Sequence, residues 1–247
     1  YWFIKNKAYN DVVENLEDKM YKYQTLKNGL TIVGEEIPYL KSVSLGIWIN
    51  TGSRLESEKE SGVSHFIEHM LFKGTKNRSA KDIARDIDRL GGEINAFTNK
   101  ECTCYYVHLL DEHINKGIDV LSDMILNSSF DTNDIDKEKF VILEELKMYE
   151  DSPDDLSYDL LLENIYKDHS LGMNILGDRN TLKNFKRENI LDKLENEVNK
   201  INYKELDSFK TNLLSYTSQI RNNISNYGDT IDTSNEYKYE SLLISSI

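Results

Sequence analysis

The chain has 247 residues, 39% of them hydrophobic and 30% charged, and a formal net charge of −13. That length and mixture are enough to close a hydrophobic core in one large domain or two small ones, while the acidic balance argues against nucleic acid or an anionic membrane as partner, since phosphate neutralisation needs a basic face. No run approaches the roughly 20 apolar residues that cross a bilayer, the opening YWFIKNKAYNDVVENLEDKM turns polar after four residues, and Cys102 and Cys104 are too close for an unstrained disulfide, so a cytoplasmic protein is expected.

In chain order, YKYQTLKNGLTIVGEE from Tyr21 alternates as strands do, with a turn at Asn28-Gly29, and SVSLGIWIN from Ser42 to Asn50 is a second β-type run. The polar, turn-rich TGSRLESEKESG leads into VSHFIEHMLFKG, where Val63, Phe66, Ile67, Met70 and Leu71 recur at helical spacing. SAKDIARDIDRLGG, from Ser79 to Gly92, reads as an amphipathic helix with a serine cap and a glycine stop; EINAFTNKECTCYYVHLL then returns to strand composition. Helices follow at about Asp111 to Leu126 and Asn133 to Tyr149, and another starts after Pro153. Past Phe185 the chain becomes highly charged and helix-compatible, and its last twenty residues are rich in Ser, Asn, Tyr and Asp without a clear period.

His65 and His69 are four residues apart, which sets their side chains within about 40° of each other on one helix face, where both can hold one metal ion. Glu68 stands one residue before the second histidine, within reach of a water on that metal and free to act as general base. A catalytic zinc takes three protein ligands and keeps a fourth position open, so a further ligand must come from elsewhere. HFIEH, residues 65 to 69, matches the inverzincin pattern H-x-x-E-H; taken alone, two histidines on an apolar helix are equally a pair of satisfied core residues. His108, His113 and His169 have no metal-ligand spacing and read as ordinary histidines.

The stretch GSRLESEKESGVSHFIEHMLFKGT, Gly52 to Thr75, resembles the pitrilysin-like metallopeptidases, the family of insulin-degrading enzyme, pitrilysin and the mitochondrial processing peptidase. The resemblance continues through LGGEINAFTNKECTCYY, EKFVILEELKMYEDSPDD and, weakly, LGMNILG. In that family the third zinc ligand is a glutamate on a later helix with an acidic residue two turns before it; Glu145, 76 positions after His69, and Glu138, seven before Glu145, stand at the matching places, with Glu144 the adjacent alternative. The resemblance implies Zn2+ held by His65, His69 and Glu145, peptide hydrolysis with Glu68 as general base, and Glu138 in support. It also implies an edge strand gripping an extended peptide by β-augmentation, with Asn95, Ala96 and Thr98 facing the peptide and Phe97 or Phe66 lining a pocket.

The implied architecture is α+β, an antiparallel sheet with helices packed mainly on one face. The expected divisions are an N-terminal extension over 1–20, a catalytic domain over 21–190, and a divergent, mostly helical tail over 191–247. Family members pair this half with a second, similarly folded half, so a partner chain or half-domain is expected beside the polypeptide substrate. The alternative is a non-catalytic subunit or scaffold of the same fold.

Overall fold

The structure is a computed structural model and describes residues 21–25, 30–35, 37, 40–198 and 239–245. The expected extension over 1–20, the Asn28-Gly29 turn and most of the expected tail lie outside the described residues. Six strands form one sheet: β1 (Tyr21–Thr25), β2 (Thr31–Glu35), β3 (Ser42–Ile49), β4 (Glu93–Thr98), β5 (Thr103–Leu110) and β6 (Tyr239–Ser245), in the order β1-β2-β6-β3-β5-β4. Neighbours are antiparallel except β3 and β6, which run parallel. β1 and β2 pair antiparallel, as adjacent strands of the expected sheet do, with Thr25 opposite Thr31.

Seven α-helices are described: α1 (Val63–Leu71), α2 (Ala80–Asp88), α3 (Ile114–Asn127), α4 (Thr132–Glu150), α5 (Pro153–Ile165), α6 (Arg179–Asn184) and α7 (Arg187–Val198). The pairs Val43–Leu109, Leu45–Val107 and Ile47–Tyr105 stand opposite each other on β3 and β5 and project to one face, where they join a single core with residues of α1, α2 and α3. The α+β class and the one-sided helix layer are therefore as expected.

Local chemistry sets the helix ends. Ser79 and Asp82 form a reciprocal capping box at the start of α2, and Gly91, with φ 68°, lets the chain turn out of it. Asp131 caps α4 by accepting the Asn133 N–H at 2.9 Å. The helix expected from Asp111 opens as a 3-10 turn over Asp111–His113 and becomes α-helical at Ile114.

Of the expected tail over 191–247, the described residues are 191–198 and 239–245. α7 runs across residue 190, and the expected mostly helical tail contributes β6, which lies between β2 and β3. The reason is non-local: YESLLIS is too short and serine-rich to declare a strand by period alone, and its place depends on pairing with two partners about two hundred residues away in the chain.

Candidate metal centre

α1 buries Val63, Phe66, Ile67, Met70 and Leu71 at i, i+3, i+4, i+7 and i+8 spacing, which leaves His65 and His69 on its flank toward α4. α4 is a single-stripe helix whose buried residues are Ile135, Glu138, Ile142 and Leu146. Glu138 is the polar interruption of that stripe, and Glu145 lies two turns further along the same side.

The two helices bring the side chains together. The His65 and His69 rings lie 4.5 Å apart at 63°. Glu145 Oε2 stands 3.8 Å from His65 Nε2 and 3.5 Å from His69 Nε2, and one ligand atom from each of the three residues lies within 4.8 Å of the others. Glu144 turns the other way and pairs with Lys147 in solvent, which removes it as the alternative ligand.

Glu138 is buried and its two oxygens are both engaged, Oε1 with His69 Nδ1 at 3.1 Å and Oε2 with Lys73 Nζ at 2.7 Å. Burial pushes this carboxyl up, but the hydrogen bonds from His69 and Lys73 outweigh it and hold Glu138 below the usual range. An ionised carboxylate only accepts, so His69 donates from Nδ1, which leaves Nε2 as the ring nitrogen that faces Glu145.

His65 is buried, and desolvation, reinforced by the nearby His69, pushes its imidazole down to about 3. The ring is neutral at physiological pH, so its 3.8 Å approach to Glu145 is not an ion pair. Its Nδ1 is buried without a hydrogen-bond partner among the described residues. Burial also raises the Glu145 carboxyl, with His69 pulling it back and Glu138 adding to the rise. Two ring nitrogens and a carboxylate oxygen thus converge on one point.

That donor set fits a zinc ion. A tetrahedral centre with bonds of about 2.0–2.2 Å spaces its ligand atoms about 3.3–3.6 Å apart, close to the 3.5 and 3.8 Å found. Two imidazoles and one carboxylate are the three-ligand set that leaves a fourth position open.

Glu68 lies beside this centre, and its Oε2 accepts the Thr98 hydroxyl at 2.5 Å. Burial raises its pKa; the Thr98 hydrogen bond and His69 offset part of the rise, and Glu145 adds to it. Thr98 ends β4, which is one of the two edge strands of the described sheet and is paired to β5 alone among the described residues.

The expected peptide-facing residues divide by the strand's alternation. Ala96 and Thr98 point to the helix side, while Asn95 and Phe97 are exposed on the opposite face, Phe97 edge-on to Trp48 at 5.4 Å. Phe66 requires a correction: it is fully buried and packs edge-on against Phe185 at 5.5 Å, so it lines no open pocket. One residue past His65, it is rotated about 100° around the helix, away from α4 and into the core.

His108 bonds to Ser44 Oγ at 2.6 Å, His113 lies beside Glu112, and His169 accepts the Leu171 N–H, so these three serve local structure. Two residues that sequence reasoning passed over also shape the site. Lys73, in the turn that follows α1, holds the second oxygen of Glu138, and no periodic pattern marks that contact in the sequence. Glu56 holds the start of α1, accepting the N–H groups of Gly62 at 2.7 Å and Ser64 at 2.8 Å.

The family model for insulinase (peptidase family M16) matches residues 31–179. The chain belongs to this peptidase family. It is 54% identical over 166 residues to a Bacillus subtilis protein named uncharacterized zinc protease YmxG, covering 67% of this chain and 41% of that protein. It is 43% identical over 179 residues to an uncharacterized zinc protease of Rickettsia felis, covering 72% and 43%.

Among solved structures, a protease from Helicobacter pylori superposes with a TM-score of 0.66 at 20% identity, over 93% of this chain and 47% of that one. Pitrilysin superposes with a TM-score of 0.65 at 20% identity, over 94% and 21%. These two likenesses establish the pitrilysin-like fold. The chain spans about two fifths of the length of the curated relatives it matches.

Proposed function

We propose that the chain is the metal-binding half of a zinc-dependent endopeptidase that hydrolyses peptides or unfolded segments held in extended form. The observation that carries this reading is the convergence of His65 Nε2, His69 Nε2 and Glu145 Oε2, none of which hydrogen-bonds another. The names of the bacterial relatives, both zinc proteases, support the choice of metal.

His65, His69 and Glu145 would hold the ion, which when bound supplies Lewis-acid polarisation of a carbonyl and a lowered pKa for water. Glu138 and Lys73 keep His69 in the tautomer that presents Nε2. Glu68 serves as general base: its raised pKa suits a carboxylate that takes a proton from water and later gives it to a leaving amine. Thr98 fixes one Glu68 oxygen, and thereby ties the base to the end of the strand along which the substrate would lie.

The edge of β4 that no described strand pairs offers main-chain hydrogen bonds to a peptide laid along it, a grip tolerant of sequence. The partial coverage of the relatives favours a second reading, in which this half binds zinc but turns over substrate only when a second half-domain or partner chain is present.

Zinc content and cleavage of a fluorogenic peptide library, measured on wild type beside Glu68→Gln, test both readings. The expected result is equal zinc in the two proteins and a loss of cleavage of about 10²- to 10⁴-fold in the variant. A variant that loses zinc or keeps activity contradicts the role of Glu68. Wild type that binds zinc but cleaves only after the remaining segment of a relative is added supports the second reading.

A further inference from the structure

The two histidines of α1 are held differently. His69 is oriented by Glu138 through Nδ1, whereas His65 Nδ1 has no hydrogen-bond partner among the described residues. The placement of His65 is therefore set by packing and by the backbone of its own helix turn.

That turn is clamped. α1 opens at Gly62, whose φ of 88° is left-handed, and no side chain of the cap residue serves its first amide groups, which in an α-helix have no partner within the helix. The Glu56 carboxylate supplies the partner: Oε2 accepts from Gly62 and Oε1 from Ser64, the residue before His65. A carboxylate at this end is also favoured by the helix dipole. Burial pushes the Glu56 carboxyl up, while the amides of Ser64 and Gly62 and the charge of Lys193 pull it back.

Glu56 is anchored in turn. The turn it ends, Ser53–Leu55, donates from Ser53 to the Asn99 carbonyl at 3.3 Å and from Arg54 to that of Lys100 at 2.9 Å. Those carbonyls directly follow Thr98, the residue that holds Glu68. Opposite, a Cβ on Gly62 would come within 2.6 Å of the Leu176 carbonyl oxygen and one on Gly177 within 2.4 Å of that of Ser61, and Thr181 donates to the Ser61 carbonyl at 2.8 Å. The start of α1 has no room to slide away from Glu56.

We propose that Glu56 is a positioning residue for the metal centre: its buried carboxylate fixes the first turn of α1, and so sets where His65 stands relative to His69, Glu145 and the end of β4. This inference rests on the reading of the site as a zinc centre.

The test uses the 247-residue chain as wild type, Glu56→Gln, Glu56→Asp and, as a control, Ile118→Val in the remote core of α3. Zinc affinity is measured by chelator competition, ligand geometry by the absorption spectrum of the Co2+-substituted protein, and stability by thermal melting. Glu56→Gln is expected to weaken zinc binding about tenfold, as losses in the supporting shell of a metal site do, and to change the Co2+ spectrum. Glu56→Asp, charged but one methylene short of spanning both amides, falls between Gln and wild type. Ile118→Val lowers the melting temperature and leaves affinity and spectrum unmoved.

Wild-type affinity and an unchanged spectrum in either Glu56 variant overturn the inference; if the Gln variant does not fold, the Asp variant is read by the same criterion. Wild type that binds no zinc overturns the underlying reading instead, so the two failures are distinguishable.

Discussion

α1 and α5 are neighbours of α4 built on opposite principles. α1 buries seven of its nine residues, and its beginning is fixed by Glu56 and the Gly62–Gly177 backbone contact. α5 buries none of its thirteen and leaves Tyr158, Leu160, Leu161 and Ile165 exposed. The described residues thus close around the candidate ligands and leave an apolar face open on the α5 side.

The largest test of that contrast is Phe66→Ala. Its ring is fully buried and packs against Phe185, so truncation is expected to cost about 3–5 kcal/mol, read as a lower midpoint in urea with an unchanged slope. A cost below about 1 kcal/mol would mean that the ring is accessible after all and would return it to the list of pocket residues.

Next in size is Glu138→Gln. The neutral side chain loses the Lys73 ion pair and weakens its hold on His69 Nδ1, so zinc affinity measured by chelator competition is expected to fall about 10- to 100-fold with the fold intact. An unchanged affinity would reduce Glu138 to a structural acid of α4.

How legible all this was depends on how local each signal is. The α1 stripe, the α2 cap and the HFIEH spacing are written within a dozen residues each, and the structure follows them. Glu145 needed the resemblance, since no local pattern separates it from Glu144; only the rotation of α4, set by Ile135, Ile142 and Leu146, turns one inward and the other to Lys147. Phe66 was misread because a residue adjacent to a ligand in sequence is rotated about 100° from it on a helix. Glu56 and β6 were passed over for the same reason at different scales: each is defined by partners that the local pattern does not name.

A smaller effect is expected at the far end of α1. Asp123 accepts from Thr75 and Arg78, each at 2.7 Å, and bonds Asn77 and Asn127 as well, so it ties α3 to the loop that leaves the site helix. Burial pushes its carboxyl up, but these hydrogen bonds outweigh it and hold Asp123 below its ordinary value of 3.8. A carboxyl depressed in the folded state contributes its stability in full above the unfolded value; that contribution fades as pH falls from 3.8 through the lower native value. Asp123→Asn is therefore expected to cost on the order of 1 kcal/mol at pH 7 and to flatten the acid limb of the melting profile. An acid limb identical to wild type would show that the loop is held by other contacts.

The smallest effect is expected on α5. Leu161 is 55% exposed, and a polar residue there removes little buried area, so Leu161→Ser should change the stability of this chain by no more than about 0.5 kcal/mol, measured as the urea midpoint. A loss above 2 kcal/mol would mean that α5 belongs to the core in solution, and the contrast with α1 would fail. If the small value holds, the same substitution in the full-length Bacillus subtilis relative sharpens the contrast: a larger loss there than in this chain would show that the apolar side of α5 is covered by the part that this chain does not span.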